Sequence, residues 1–236
     1  GHEEAIKNAT GLLLDPYFSS TKISWILDNV DGARKRAEAG KLRFGTVDTY
    51  LLWQLTHGEV YKTDVTNASR TNLYNIHLKE WDSELLKIFN IPRSMLPEVQ
   101  SSDSNYGTLV RGNKTIQISG VIGDQQSALV GQRCFQSGQM KATFGTGCFL
   151  MVNTGDKSLQ STSGLLNTLG YGLSGKVSYA LEGSIFSAGT TIQWIRDEMK
   201  IFSDSSFDPE FMTYKSSRYF VCLNSFINFG SFLASL

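Results

Sequence analysis

Ile116-Gln117-Ile118-Ser119-Gly120-Val121-Ile122-Gly123-Asp124-Gln125-Gln126 alternates like a β-strand, breaks at glycine and resumes as a helix. Further along, Lys141-Ala142-Thr143-Phe144-Gly145-Thr146-Gly147-Cys148-Phe149 reads as a strand, a Gly-Thr-Gly turn and a second strand. In the first stretch Asp124 stands where a strand ends and a helix opens, the place at which open α/β sheets bind ligands. In the second, closely approachable backbone N–H groups and the Thr146 hydroxyl suit a phosphate. Together they point to a carboxylate that takes a proton and a turn that holds the phosphate being transferred.

The rest of the composition narrows the setting. With 236 residues the chain makes one large domain or two small ones. Its 22 basic and 22 acidic residues balance, so no surplus of charge invites nucleic acid or another polyanion. Cys134, Cys148 and Cys222 are odd in number and lack Cys-x-x-Cys spacing, which fits buried thiols in a reducing compartment rather than a disulfide framework or a metal site. No apolar run approaches the ~20 residues that span a bilayer. No basic, apolar leader is visible, so a soluble cytoplasmic protein is expected. The tail from Tyr219 to Phe232 is aromatic and nearly uncharged, and reads as a strand cut from its sheet or as a departure from the gene's frame.

Helices are expected over residues 22–29, with Ile23, Ile26 and Leu27 on one side, and over 34–39, stopped by Gly40. Thr46 is placed to cap a helix through Leu55, in which Val47, Tyr50, Leu51 and Leu55 recur at helical spacing. Residues 59–63 and 115–119 alternate as strands. Asp82 caps a helix with Leu85, Leu86 and Phe89 inward, ended by Asn90 and Pro92. A helix follows Asp124 to Gly131 or Gly138, and a last one runs from Ser187 to about Met199 with Ile192, Ile195 and Met199 as its core side. On that helix Gly189 and Gln193 are four apart and share a face. The glycines and polar residues between Gln132 and Met140 mark a seam, dividing the chain into 1–132 and 133–236.

Residues 17–29, from Tyr17-Phe18-Ser19-Ser20-Thr21-Lys22 to Leu27-Asp28-Asn29, resemble a signature of the FGGY carbohydrate kinases. Thr63-Asp64-Val65-Thr66-Asn67-Ala68-Ser69-Arg70-Thr71 and Asn75-Ile76-His77 are similar to the branch of that family that phosphorylates glycerol. Gly123-Asp124-Gln125-Gln126, Phe144-Gly145-Thr146-Gly147-Cys148-Phe149 and Ala188-Gly189-Thr190-Thr191-Ile192-Gln193-Trp194 match it in the same order, and the resemblance runs from about Thr10 to Val221. Several long motifs in order are far more specific than one glycine-rich hexamer.

The resemblance implies an α/β, actin-like and ribonuclease-H-like kinase fold, incomplete here, with parts of two domains flanking a cleft. Residues 1–132 would be the latter part of the substrate domain and 133–236 the start of the nucleotide domain. It also implies ATP-dependent phosphorylation of glycerol to glycerol 3-phosphate, with Mg2+ on the nucleotide and a homo-oligomer as the full-length protein. Asp124 would be the general base, with Tyr17, Gln125 and Phe149 lining the glycerol pocket. Thr146, Gly189 and Gln193 would meet ATP, and no residue here is assigned to the metal. The family's N-terminal phosphate hairpin, a metal-associated aspartate and an arginine–glutamate pair would precede Gly1, and its adenine segment would follow Leu236. The chain by itself is therefore expected to be inactive.

Each residue also has a plainer role. Asp124 could be a helix N-cap; Gly145-Thr146-Gly147 a bare hairpin turn; Gly189 a packing glycine and Gln193 a surface amide. Tyr17, Trp25 and Phe149 fit a core, and His77 beside Ile76 fits a structural histidine. Two other functions compete: a kinase of another polyol or pentulose, and a catalytically dead truncated product serving as a binding or oligomer module.

Overall fold

The computed structural model describes residues 1–201; Cys222, the aromatic tail and the end of the family pattern at Val221 lie outside the described residues. The first half is helical with short strands. Helix α1 (Glu3–Thr10) ends at Gly11, whose φ of 72° is left-handed. A Cβ at Gly11 would come within 2.1 Å of the Asn167 carbonyl oxygen, so only glycine allows that approach. Helices α2 (Ser19–Asn29), α3 (Ala33–Glu38) and α4 (Val47–Leu55) follow. Strand β1 (Lys62–Asp64) runs into the short α5 (Val65–Ala68) and pairs in parallel with β4 (Glu98–Gln100). Between them lie the ribbon of β2 (Tyr74–Asn75) and β3 (Glu80–Trp81) and helix α6 (Ser83–Ile88). Asp82 caps α6 by accepting from the Glu84 and Leu85 N–H groups at 2.9 and 3.1 Å, as its position before an apolar stripe requires.

An antiparallel hairpin, β5 (Thr108–Arg111) and β6 (Lys114–Gln117), precedes α7 (Asp124–Gly131). The second half is an antiparallel sheet in the order β7 (Met140–Phe144), β8 (Cys148–Gly155), β10 (Lys176–Ile185), β9 (Leu166–Leu173), followed by α8 (Gly189–Asp197). Phe144 pairs with Cys148 across the Gly-Thr-Gly turn. The main core joins the halves: Ile23, Leu27, Val65, Leu73, Tyr74, Ile76 and Trp81 pack with Leu169 and Tyr179 of the sheet. Cys134 and Cys148 are buried. His77 is structural as expected, its ring stacked on Tyr179 and its Nε2 3.0 Å from the Asn8 carbonyl oxygen. Among the described residues no helix is long and apolar enough to cross a membrane.

Five expectations change. In α4 the recurring apolar residues face out, Val47 at 75% exposure, while Thr49 and Leu52 are buried. Apolar residues surround this helix, so their spacing does not select a face. Thr46 makes no cap; its hydroxyl donates to Asp48. Strand β1 starts only at Lys62 because the Glu59 and Val60 amides donate back to the Thr56 carbonyl and hydroxyl oxygens. Strand β6 belongs to an exposed hairpin, so Asp124 follows a loop rather than the end of a parallel strand. That loop is held by the Val121 N–H donating to Ser102 O at 2.9 Å and the Gly123 N–H donating to Thr66 Oγ1 at 2.8 Å. Finally, α8 starts at Gly189 and ends at Asp197, none of its residues is fully buried, and Met199 is exposed. This helix is fastened by its first turn rather than by an apolar stripe.

Candidate active site

A cleft of about 790 Å³ lies where the two halves meet. Tyr17 and Phe18 from the loop before α2, Asp124 and Gln125 from the start of α7, and Phe149 from β8 all line it. The four residues expected around a small polyol are thus brought to one cavity from three separate segments. Tyr17 is largely exposed, and its N–H donates to Asp15 Oδ1 at 2.7 Å, which fixes the loop that presents the ring.

Asp124 is the first residue of α7, and Gly123 occupies the capping position. The plain N-cap role therefore does not apply. Its exposed carboxylate accepts one hydrogen bond, from its neighbour Gln125 Nε2 at 3.2 Å. Behind it, Thr66 Oγ1 receives the Gly123 N–H and itself donates to the buried Asp64 carboxylate. Asp64 also accepts from the Asn67 N–H, Asn67 Nδ2 and Ser102 Oγ at 2.7 to 2.9 Å. Ser102 Oγ in turn accepts the Gly172 N–H of β9 at 3.1 Å. One carboxylate thereby ties α5, the loop before Asp124 and the second-half sheet into a single frame.

Arg70 and Glu182 line the inner wall, and Lys141 lies behind Gln125. Arg70 Nη2 donates to Glu182 Oε1 at 2.9 Å, and the guanidinium lies 5.2 Å above the Phe18 ring. Lys141, 3% exposed on β7, donates to Gln125 Oε1 and, at 2.9 Å, to Thr143 Oγ1. Burial pushes its ammonium below the ordinary lysine range, and the nearby Glu182 and Asp124 charges pull it partly back. Arg70 Nη1, Glu182 Oε2 and Gln126 Nε2 each remain without a hydrogen-bond partner among the described residues. All three atoms are shielded from solvent, so they are desolvated polar groups of the wall rather than open contacts for a ligand.

Thr146, Gly189 and Gln193 gather at a different place, the turn between β7 and β8. The Ala188 and Gly189 N–H groups donate to the Thr146 and Gly145 carbonyl oxygens at 2.9 and 3.0 Å. A Cβ on Gly189 would sit 2.4 Å from the Gly145 oxygen, so this glycine is needed for the close packing of α8 on the turn. Thr146 itself is exposed, the space beside Gly145 is open, and Gln193 is exposed one turn along α8. The turn and the cleft are linked by β8, which carries Phe149 just after Thr146. Among the described residues no three His, Cys, Asp or Glu side chains converge on a point where a metal could be held.

Asp64, Arg70, Lys141 and Glu182 were not singled out by the sequence reading. Asp64 and Arg70 stand within a quoted motif. Lys141 carried a detectable signal, a cation inside an otherwise apolar strand segment.

Residues 1–131 match the N-terminal domain of the FGGY family of carbohydrate kinases, and residues 140–217 match its C-terminal domain. The curated glycerol kinase of Haemophilus influenzae is 57% identical over 218 residues, covering 91% of this chain and 43% of its own length. That of Shewanella frigidimarina is 58% identical over 205 residues, covering 87% and 41%. The chain thus spans about two fifths of the length of these relatives. Among solved structures, Plasmodium falciparum glycerol kinase with ADP superposes with a TM-score of 0.83 at 41% identity, over 89% of this chain and 42% of that one. A xylulose kinase from Rhodospirillum rubrum superposes at 0.74 with 16% identity, over 87% and 41%, a likeness of fold alone. Matched in both halves and sharing the actin-like, ribonuclease-H-like architecture of solved sugar kinases, the chain belongs to the FGGY family of carbohydrate kinases.

Proposed function

We propose that this chain forms part of a cytoplasmic kinase, a homo-oligomer when intact, that transfers the γ-phosphoryl group of ATP to glycerol, giving glycerol 3-phosphate and ADP. The observation that carries this is the convergence of Tyr17, Asp124, Gln125 and Phe149 on one cleft. The similarity to curated glycerol kinases supports the choice of substrate. The phenol of Tyr17 and the amide of Gln125 hydrogen-bond the glycerol hydroxyls, and the Phe149 ring covers the carbon chain. Asp124 accepts the proton of the attacking hydroxyl as the new O–P bond forms and the bond to the ADP oxygen breaks. Its exposure gives that proton a way out to solvent. A neutral hydroxyl is a poor nucleophile towards phosphorus, and a positioned base contributes ~10²–10⁴-fold.

Thr146 and the open side of Gly145 approach the nucleotide phosphates, while Gly189 and Gln193 present one face of α8 to it. Residues 1–132 act as substrate domain and 133–236 as nucleotide domain. Magnesium would accompany ATP; among the described residues no cluster of ligands converges to hold it. Asp124→Asn in the intact protein tests the assignment. Glycerol and ATP affinities should stay within a few-fold, while turnover falls ~10²-fold or more. Near-normal turnover would remove Asp124 from the mechanism, and faster turnover on a pentulose than on glycerol would move the substrate.

A further inference from the structure

Lys141 carries a buried charge that the proposed reaction leaves unused. An alkylammonium has three donors and no acceptor. The groups facing it are Gln125 and Asp124 on α7, Thr143 on its own strand, Glu182 on β10, and the thiols of Cys134 and Cys148. Among the described residues no carboxylate makes a salt bridge to it, so its direct partners are the neutral oxygens of Gln125 and Thr143. Burying a cation against neutral partners is costly, and an apolar side chain of similar length would fill the same space without that cost.

The geometry of Gln125 supplies a reason. A glutamine amide has nearly the same shape in its two flipped orientations, which exchange its donor and acceptor ends. Nothing but Oε1 can receive a hydrogen bond from Lys141, so Nε2 must point the other way, where it meets Asp124 Oδ2 at 3.2 Å. While Asp124 is ionised, the carboxylate itself favours this orientation. Once Asp124 has taken a proton it can donate, and the flipped amide becomes acceptable to it. Lys141 removes that freedom at the moment when the acceptor hydroxyl must stay aligned.

We propose that Lys141 is a positioning residue for phosphoryl transfer, holding the Gln125 amide with Nε2 toward Asp124 and the cleft throughout the reaction. This rests on the reading of Asp124 as the base. The amide then shows the substrate one fixed pattern: one Nε2–H on the carboxylate, the other free for a substrate hydroxyl oxygen.

A double-mutant cycle in the intact enzyme tests it. Lys141→Met should lower kcat/KM for glycerol roughly tenfold or more while leaving KM for ATP nearly unchanged. In a Gln125→Ala background the same substitution should change kcat/KM by less than about twofold, because no amide remains to hold. Near-wild-type kcat/KM for Lys141→Met would overturn the proposal, as would an equal loss with and without the Gln125 side chain. If Lys141→Met does not fold, Lys141→Gln replaces it: coupling to Gln125→Ala supports the proposal and simple additivity overturns it. Asp124→Asn is measured beside the cycle. Retained turnover there defeats the reading of the base and the proposal with it, whereas lost turnover with an uncoupled Lys141 defeats the positioning role alone.

Discussion

Asp64 and Asp124 lie on the two sides of one loop and carry the same carboxylate, yet the chain treats them in opposite ways. Asp64 is fully buried and receives donors from Thr66, Asn67 and Ser102. Asp124 is exposed to the cleft and has one bond, from Gln125. A carboxylate whose lone pairs are filled holds structure; one left open can accept a proton from something else. The Thr66 hydroxyl connects them, donating to Asp64 and accepting the Gly123 N–H, so the saturated acid sets the place of the open one.

The largest expected effect tests that contrast directly. Asp64→Ala strands the hydroxyls of Thr66 and Ser102 and the Asn67 amide in a buried site, and should cost about 3 kcal/mol or more of stability in the intact protein. Asp124→Ala should change stability by no more than about 0.5 kcal/mol. Denaturant unfolding of both variants decides it: equal losses would mean that Asp124 is also structural.

The same contrast explains what could be read from sequence. That Asp124, Gln125, Tyr17 and Phe149 would meet at one cleft came from the family resemblance of their motifs, since three separate segments supply them and no local pattern pairs them. Asp82 was legible as a cap because its partners, the amides of Glu84 and Leu85, are close in sequence. The face of α4 was not legible, since apolar residues surround that helix and only its neighbours choose Thr49 and Leu52. In β7, alternation alone would turn Met140, Ala142 and Phe144 inward. Instead Lys141 is buried while Ala142 and Phe144 are exposed, because the inward partner is the Gln125 amide rather than a core. Arg70 and Glu182 meet across 112 positions, a pairing no local pattern encodes.

A smaller effect is expected at the phosphate turn, where the sequence allowed Gly189 either to approach the nucleotide or to pack. A valine there would drive its Cβ toward the Gly145 carbonyl oxygen, a backbone atom that cannot rotate away. Gly189→Val should therefore lower Tm and weaken ATP binding together, by about 1–3 kcal/mol, because α8 and the turn move as one. Glycerol affinity, set at the cleft, should change much less. Lost ATP binding with an unchanged Tm would mean that Gly189 acts through nucleotide contact alone and not through packing.

The smallest effect concerns a buried charge without the full set of partners that Asp64 enjoys. Burial holds the Lys141 ammonium below its ordinary pKa of 10.5, with Glu182 and then Asp124 raising it in part. Between the depressed value and 10.5 the folded chain binds fewer protons at this site than the unfolded chain, so the contribution of Lys141 to stability rises with pH across that window. Below it, the cost of burying the cation is present in full. Buried tyrosines act oppositely: Tyr61 is pushed up to about 12 and Tyr74 and Tyr106 are also raised, so they withdraw stability above about pH 10. Comparing wild type with Lys141→Met cancels them. The variant should gain most on wild type near neutral pH, and the gap should narrow steadily as pH climbs toward 10.5. A gap that stays constant from neutral to alkaline pH would mean that the folded chain holds this ammonium as comfortably as water does, and Lys141 would then resemble Asp64 more than its two neutral partners suggest.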